Sequence, residues 1–484
     1  MRWLKDNYPQ IILIFFVSVL VFSKSLNNGF VWDDEEQIIN NVLVHSVANW
    51  KVFFSGGAFY SGNTTELLGA YYKPLMTLSF SVIYTLFGNN PFYYHLFSII
   101  IHFLNTILVF VLFSRYFEKN KSLLLSLIFL SHPLYSEVVF YAANFQDLLF
   151  FFFGMIALLS NKTVVIYLAL LMSLLSKETG IVFVIVSPTL KFLEYGYKTI
   201  KQNKKLYLIL LVAPIFSFLT YLYMRLGIAN IGLTNIEINP LASQNIYIRL
   251  MSLPKIIFYY LQNLIYPVNL VANQHWYISN IDLYNFWLPL TAVLAFFSLI
   301  SIPILKSTKN YLFFFLLFIL SFGIHFQIVP LDVTVSGRWF YLPMVGLLGM
   351  LGFIFKDKYF KYLIAISIII FSLITLDRSY DWRSGLTLYS NDIKIVKDDF
   401  NLENNLGVEM YRIGKINEAH IHFQKSVELA PFWWTNWNNL GVTTEYFGDI
   451  EKATEYYKKA INNGGYYLAV QNYNRIKDNK DKNK

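Results

Sequence analysis

The chain has 484 residues, of which 56% are hydrophobic and only 14% charged, with a mean hydropathy of +0.45. Soluble globular chains carry about 25% charged residues, so this composition excludes an ordinary soluble protein and points to a polytopic helical membrane protein. The formal net charge of +9 is not a nucleic-acid signature, because lysine and arginine gather on the cytoplasmic loops of membrane proteins; no nucleic-acid partner is expected. The absence of cysteine excludes disulfides and thiolate metal sites.

Taken in order, Arg2 and Lys5 hold the N-terminus in the cytoplasm, and residues 10–23 form an uncleaved signal anchor that becomes the first span. A polar outer loop occupies 24–73. The apolar stretch 75–88 is short for a span and is expected to lie in the interface. Further spans are expected at 92–113, 122–140, 145–160, 163–176, 180–194 and 206–226. The stretch 227–282 decides the orientation of the spans beyond it. Pro254 and Pro267, with Arg249, Lys255, Gln262 and Asn263, argue for a re-entrant or interfacial piece. Counted that way, Lys306, Lys309, Lys356, Lys358 and Lys361 all stay cytoplasmic. The last spans then fall at 284–305, 311–330, 338–355 and 359–376, eleven in all, with everything after Leu376 outside.

From Asp377 the chain turns polar and a repeat begins. Leu406-Gly407, Gly414, Ala419 and Phe423 recur 34 residues later as Leu440-Gly441, Gly448, Ala453 and Tyr457. This is the tetratricopeptide (TPR) period, with small residues where paired helices cross and an aromatic closing each pair. Two repeats are expected at 401–477, after a linker at 377–400 and before a Lys/Asn-rich disordered end at 478–484. So short an array is expected to pack on the membrane domain through Phe432-Trp433-Trp434, or to take a protein partner.

Trp32-Asp33-Asp34-Glu35-Glu36 sets four carboxylates just beyond the first span. Taken alone, they could be a solvated acidic loop. Sorted by expected side, however, the inner loops hold mainly lysine and arginine. Asp33, Asp34, Lys73, His132, Glu137, Asp147, Lys177, Glu178, His325, Asp332 and Arg338 collect at the outer edge. Ionisable groups in or beside spans are costly and face a protein interior or a wet cavity, so one outward cavity lined by both signs is expected. A carboxylate beside cations suits transfer from a phosphate-linked donor. The base, Asp33 or Asp34, would deprotonate an acceptor hydroxyl, and the cations or a metal would meet the charge growing on the leaving phosphate. The Asp33–Asp34 pair could also ligate a divalent cation, although two ligands do not specify one.

Several blocks stand in a telling order: Trp32-Asp33-Asp34, Tyr72-Lys73-Pro74-Leu75, Gly88-Asn89-Asn90-Pro91 with Tyr94-His95-Leu96, His132-Pro133 with Glu137, Lys177-Glu178, and Arg338-Trp339-Phe340-Tyr341-Leu342-Pro343. With the repeat tail, this order resembles the transmembrane-and-TPR-containing mannosyltransferases, within the membrane-embedded (GT-C-like) glycosyltransferases that use polyprenyl-phosphate sugars. The resemblance covers nearly the whole chain. It implies an all-α polytopic bundle with an extracytoplasmic TPR domain, and an acid of the Asp33–Asp34 pair acting as base on that outer side. Two positions depart from the family pattern. Phe145-Gln146 stands where a basic residue usually precedes Asp147, and Lys73 replaces an arginine, which keeps the charge but loses the two-pronged phosphate grip.

The expected organisation is a glycosyltransferase domain over 1–376 followed by the repeats. The expected reaction moves a sugar, mannose by the resemblance, from a polyprenyl-phosphate donor to an acceptor protein or glycan. Lys73, Lys177 and Arg338 would hold the donor phosphate, while Tyr72, His132, Glu137, Asp147 and Glu178 would shape the pocket. Competing readings are a membrane-anchored TPR scaffold, and a flippase, which would more often show two similar halves with Gly/Pro-broken helices. The cysteine-free, Asn/Lys/Ile-rich composition suggests a bacterial inner membrane.

Overall fold

The computed structural model describes residues 2–60, 67–202, 204–232, 238–272, 274–306, 309–355, 358–464 and 466–482. Among the described residues the architecture is almost wholly helical. The one sheet is a two-stranded pairing of Phe59–Tyr60 with Leu67–Leu68 in the first outer loop. The protein is an integral membrane protein. Among the described residues seven helices are long and apolar enough to cross a bilayer, or eight if the bent pair Lys119–Ser131 and Pro133–Phe140 makes one span.

These eight correspond to eight of the eleven expected spans. The other three fall outside that test. Thr163–Ser176 has 14 residues and Lys309–Gly323 has 15; at 1.5 Å per residue, both stop well short of a core about 30 Å thick. Ile181–Gln202 is kinked at Gly196. The stretch at 75–88 is a 14-residue helix, Pro74–Phe87. Region 227–282 contains the helix Ile246–Ile265, with Pro254 inside it.

Local chemistry sets the helix ends that matter for the site. Asn90 accepts a hydrogen bond from Phe92 N, and Pro91 opens the helix Pro91–Phe113 at its first position. At His132 the backbone leaves the helical region (φ −69°, ψ 123°) because Pro133 follows, and the helix bends by 43°. Close crossings need small residues. A Cβ on Gly346 would come within 2.6 Å of the Phe318 backbone, so Tyr341–Ile354 lies directly against Lys309–Gly323.

The tail differs from expectation at both ends. Residues 377–400 are not a linker. Ser384 and Thr387 form a reciprocal capping box that opens a helix at Gly385–Ile395. This helix docks on the membrane domain, where Asp392 accepts from Ala272 N at 2.9 Å and pairs with Arg378 at 2.9 Å. Asp399 accepts from His275 N at 2.8 Å while capping the next helix through Asn401 N and Leu402 N. The Lys/Asn-rich end is helical within Tyr467–Lys482, because it closes against the preceding helix through Ile476 and Tyr457; residues 483–484 lie outside the described residues. Of the aromatic triplet, Trp433 packs on Phe400 and beside Ile238, whereas Phe432 is largely exposed.

The helices Phe400–Arg412, Ile416–Leu429, Trp434–Tyr446 and Ile450–Gly464 form two hairpins offset by 34 residues. The ring of Phe423 fills the space a Cβ on Gly407 would need, and Tyr457 does the same at Gly441, each at 2.6 Å.

Candidate active site

The acid motif is held in an unusual backbone. Trp32 has a φ of +53°, in the left-handed region that a bulky residue avoids. Its indole stacks on Tyr141 at 5.5 Å and 9°, and Tyr141 stacks in turn on Trp382. The Tyr141 hydroxyl accepts from Asp33 N at 3.1 Å. Strain of this kind persists only where surrounding packing over-determines it, and here three stacked aromatics hold the turn.

That turn separates the two aspartates. Asp34 is fully buried, with one oxygen accepting from Ala143 N at 2.7 Å and the other from Val31 N at 3.1 Å. Both oxygens are engaged by main chain, so Asp34 ties the motif to the segment before Phe145–Leu159. Asp33 remains partly exposed. Burial raises its carboxyl above the usual range, against the Tyr141 hydroxyl and the positive charges of Lys73 and Arg338. The pair therefore does not present two free carboxylates to a divalent cation, and no group of three metal-ligating side chains forms among the described residues.

Within electrostatic reach of Asp33, though Asp33 is not part of its lining, lies a cavity of about 320 Å³. Its lining brings Lys73, Lys177, Glu178, Arg225, His325, Asp332 and Arg338 together, with Tyr71, Gln146 and Trp339. The three cations expected to hold an anion thus meet in one space. Lys177 Nζ is fixed by Asp147 at 2.6 Å. Glu137 accepts from Arg338 N at 2.5 Å and from the Ser336 hydroxyl at 2.8 Å, with the Arg338 guanidinium 3.9 Å from its second oxygen. Arg338 Nη1 is buried with no hydrogen-bond partner in the protein. Lys73 packs its ammonium 4.0 Å from the ring centre of Tyr71, and burial lowers its pKa. His325 stacks flat on Trp339 at 4.9 Å.

Of the five expected pocket residues only Glu178 lines this cavity; Glu137 and Asp147 contact its cations without lining it, and Tyr72 and His132 lie elsewhere. Tyr72 is buried, with its hydroxyl donating to Phe54 O at 3.0 Å; it supports the wall through its N–H to Glu178 rather than lining the cavity. The reason is alternation: Tyr71 and Tyr72 point apart, and Tyr71 takes the cavity side. His132 accepts from Leu134 N, pairs with Leu264 O at 3.2 Å and lies against Phe371. It borders an apolar groove of about 800 Å³ between Lys119–Ser131, Ile246–Ile265, Leu288–Ser301 and Tyr341–Ile354. It shapes a helix break and not the polar cavity.

The sequence reading missed Arg225. Its guanidinium pairs with Glu178 at 3.0 Å, donates to the Tyr221 hydroxyl and reaches Ala70 O. The signal was present, since an arginine ends an apolar helix four residues after a tyrosine, but an interface anchor has the same pattern.

A protein O-mannosyl-transferase of Caenorhabditis elegans is 26% identical over 449 residues, covering 87% of this chain and 63% of that one. Protein O-mannosyl-transferase TMTC3 of Homo sapiens is 25% identical over 515 residues, covering 94% of this chain and 55% of that one. The chain is similar to the TMTC-family protein O-mannosyl-transferases. It spans less than two thirds of the length of these relatives. Among solved structures, ArnT from Cupriavidus metallidurans bound to undecaprenyl phosphate aligns with a TM-score of 0.42 at 13% identity, over 93% of this chain and 79% of that one. No protein-family model matches.

Proposed function

We propose that this protein is a membrane glycosyltransferase that moves a sugar, mannose by its relatives' names, from a polyprenyl-phosphate donor to a protein hydroxyl outside the cytoplasm. One observation carries the reading: Lys73, Lys177 and Arg338 line one cavity, two of them within electrostatic reach of a partly exposed carboxylate, Asp33, whose neighbour Asp34 is engaged by main chain. The cations would hold the donor phosphate. Asp33 would take the proton of the acceptor hydroxyl as its oxygen bonds to the anomeric carbon. The bond from that carbon to the phosphate oxygen breaks, and the polyprenyl phosphate leaves with the electron pair, its added charge met by Arg338 and Lys73. Glu137 and Asp147 orient Arg338 and Lys177. Asp34 positions the loop. A scaffold without chemistry leaves three largely buried cations around a cavity without a use, and burying charge is expensive.

The test is sugar transfer in liposomes with polyprenyl-phosphate mannose and a serine/threonine peptide. Asp33→Asn should lower turnover by about 10²–10⁴-fold, the usual worth of a general base, with the fold intact. Because the raised carboxyl must be ionised to accept a proton, activity should fall as pH drops through a midpoint above the ordinary aspartate value of about 4. Asp34→Asn should instead lower thermal stability. A wild-type chain inert with every donor, or an Asp33→Asn chain as active as wild type, would sink this reading.

A further inference from the structure

A second recess lies apart from the cation cavity and takes no part in the transfer chemistry. The apolar groove of about 800 Å³ that borders His132 runs along the last membrane helix, Lys358–Asp381, past Leu363, Ser367 and Phe371. Its rim residues Leu299 and Leu363 are exposed on helices apolar enough to cross a bilayer, so the groove opens sideways to lipid. Ala292 and Ala295, on Leu288–Ser301, leave room in it. No described residue lines both this groove and the cation cavity.

A polar pocket of about 290 Å³ continues the same line. On the last membrane helix, Phe371 in the groove is followed by Ile374, Asp377, Arg378 and Asp381 in the pocket, and Ile265-Tyr266 gives way to Pro267-Val268 in the same sense. The far wall is the docking helix Gly385–Ile395, through Asn391 and Lys394. Arg378 is spent inside the protein, on Asp381 at 2.8 Å and Asp392 at 2.9 Å, and Asn391 donates to Asp381 at 2.5 Å. Two charges stay available. Asp377 is exposed and makes no hydrogen bond or ion pair among the described residues. Lys394 is exposed and gives one N–H to Asn391 at 3.2 Å, while an ammonium has three donors. A free carboxylate and a largely free ammonium thus stand on opposite walls.

We propose that groove and pocket together bind one phospholipid whose headgroup ends in a primary ammonium. The acyl chains fill the groove. An empty groove forfeits dispersion contacts, and water there finds few partners, because the His132 ring and the Ser367 hydroxyl already bond main chain. The lipid phosphate sits by Lys394 and the ammonium by Asp377, whose lone pairs suit N–H donors. A phosphate monoester without an ammonium fits less well, since Asp377 repels it. From Leu363 to Asp377 is 14 residues (377−363), about 21 Å of helix. That is somewhat more than half of a core about 30 Å thick, the depth that chains of one leaflet reach below their headgroup. The lipid touches both the last membrane helix and the helix that docks the repeats, so its binding steadies the repeats on the membrane domain. The site does not depend on the transfer reading.

The experiment is native mass spectrometry of the full chain, delipidated in detergent and titrated with phosphatidylethanolamine, phosphatidylcholine or phosphatidylglycerol of the same acyl chains. Phosphatidylethanolamine should bind about fivefold tighter than the other two, because choline has no N–H and glycerol no charge. Asp377→Asn should bring the three lipids within about twofold of one another. Lys394→Gln should weaken all three, and so should Ala295→Trp, which fills the groove. Circular dichroism checks that the variants fold, and Ala292→Leu serves if Ala295→Trp does not. Hydrogen exchange across 385–395 should slow when phosphatidylethanolamine is bound. The proposal is overturned by wild type that binds the three lipids equally, by Asp377→Asn that keeps the preference, or by Lys394→Gln and groove variants that bind as wild type. Polyprenyl phosphate that displaces phosphatidylethanolamine one for one would overturn it too, as would unchanged exchange across 385–395.

Discussion

The two ends of the helical bundle use the same residue types in opposite ways. At the end bearing the acid motif, Asp147–Lys177 and Glu137–Arg338 are buried pairs with hydrogen-bonding capacity to spare: Asp147 Oδ2 has no hydrogen-bond partner in the protein, and Glu137 Oε2 and Arg338 Nη1 meet only as an ion pair at 3.9 Å. At the other end the helices finish in charges that each find a partner within the protein. Arg115 donates to Leu159 O and faces Glu194, Lys119 donates to Asp6 O, and Lys191 donates to Asn161 at 2.5 Å. Charge density alone therefore does not mark a site. Buried charge with unspent hydrogen-bonding capacity around a cavity does, because the protein bears the desolvation cost without recovering it internally.

Removing one partner at each end tests that contrast. The largest effect should come from Asp147→Asn, which leaves the Lys177 ammonium buried without its counter-charge. A loss of about 3 kcal/mol is expected, read as a lowered thermal transition in detergent. Lys191→Met should cost about 1 kcal/mol in the same measurement. Its side chain is fully buried, but its short bond goes to the neutral Asn161 amide, its ion pair with the partly exposed Glu194 is longer, at 3.6 Å, and methionine fills a similar volume. The smallest change should come from Arg115→Ala, below about 1 kcal/mol, because both members of the Arg115–Glu194 pair are about a third exposed and solvent screens them. Equal losses at Asp147 and Arg115 would remove the distinction between the two ends.

Much of this organisation is legible along the chain. Hydropathy located the apolar helices because the transfer of a segment into lipid is nearly additive over its residues. Small and aromatic residues at a 34-residue offset located the hairpins, since each pair needs its own close crossing at Gly407 or Gly441. Lys73, Lys177 and Arg338 were expected together at one edge, and they line one cavity. Less legible was whether 377–400 is linker or helix: Ser384 and Thr387 supply a capping box, but the stretch is polar, and only docking of Asp392 on Ala272 fixes its place. His132 and Tyr72 were expected in the polar pocket and meet other neighbours instead.

By itself, then, the sequence determined the class, the apolar helices, the repeat and the cast of ionisable groups, all properties of short stretches or of a fixed period. Tertiary structure decided which groups are free to act. Asp33 and Asp34 are chemically identical neighbours, and what separates them is an amide at Ala143, 109 residues from Asp34. Arg225 becomes part of the cavity only because Glu178 and Ala70 come from other segments to meet it. A carboxylate's availability depends on what surrounds it in space, and its position in the chain carries no trace of that.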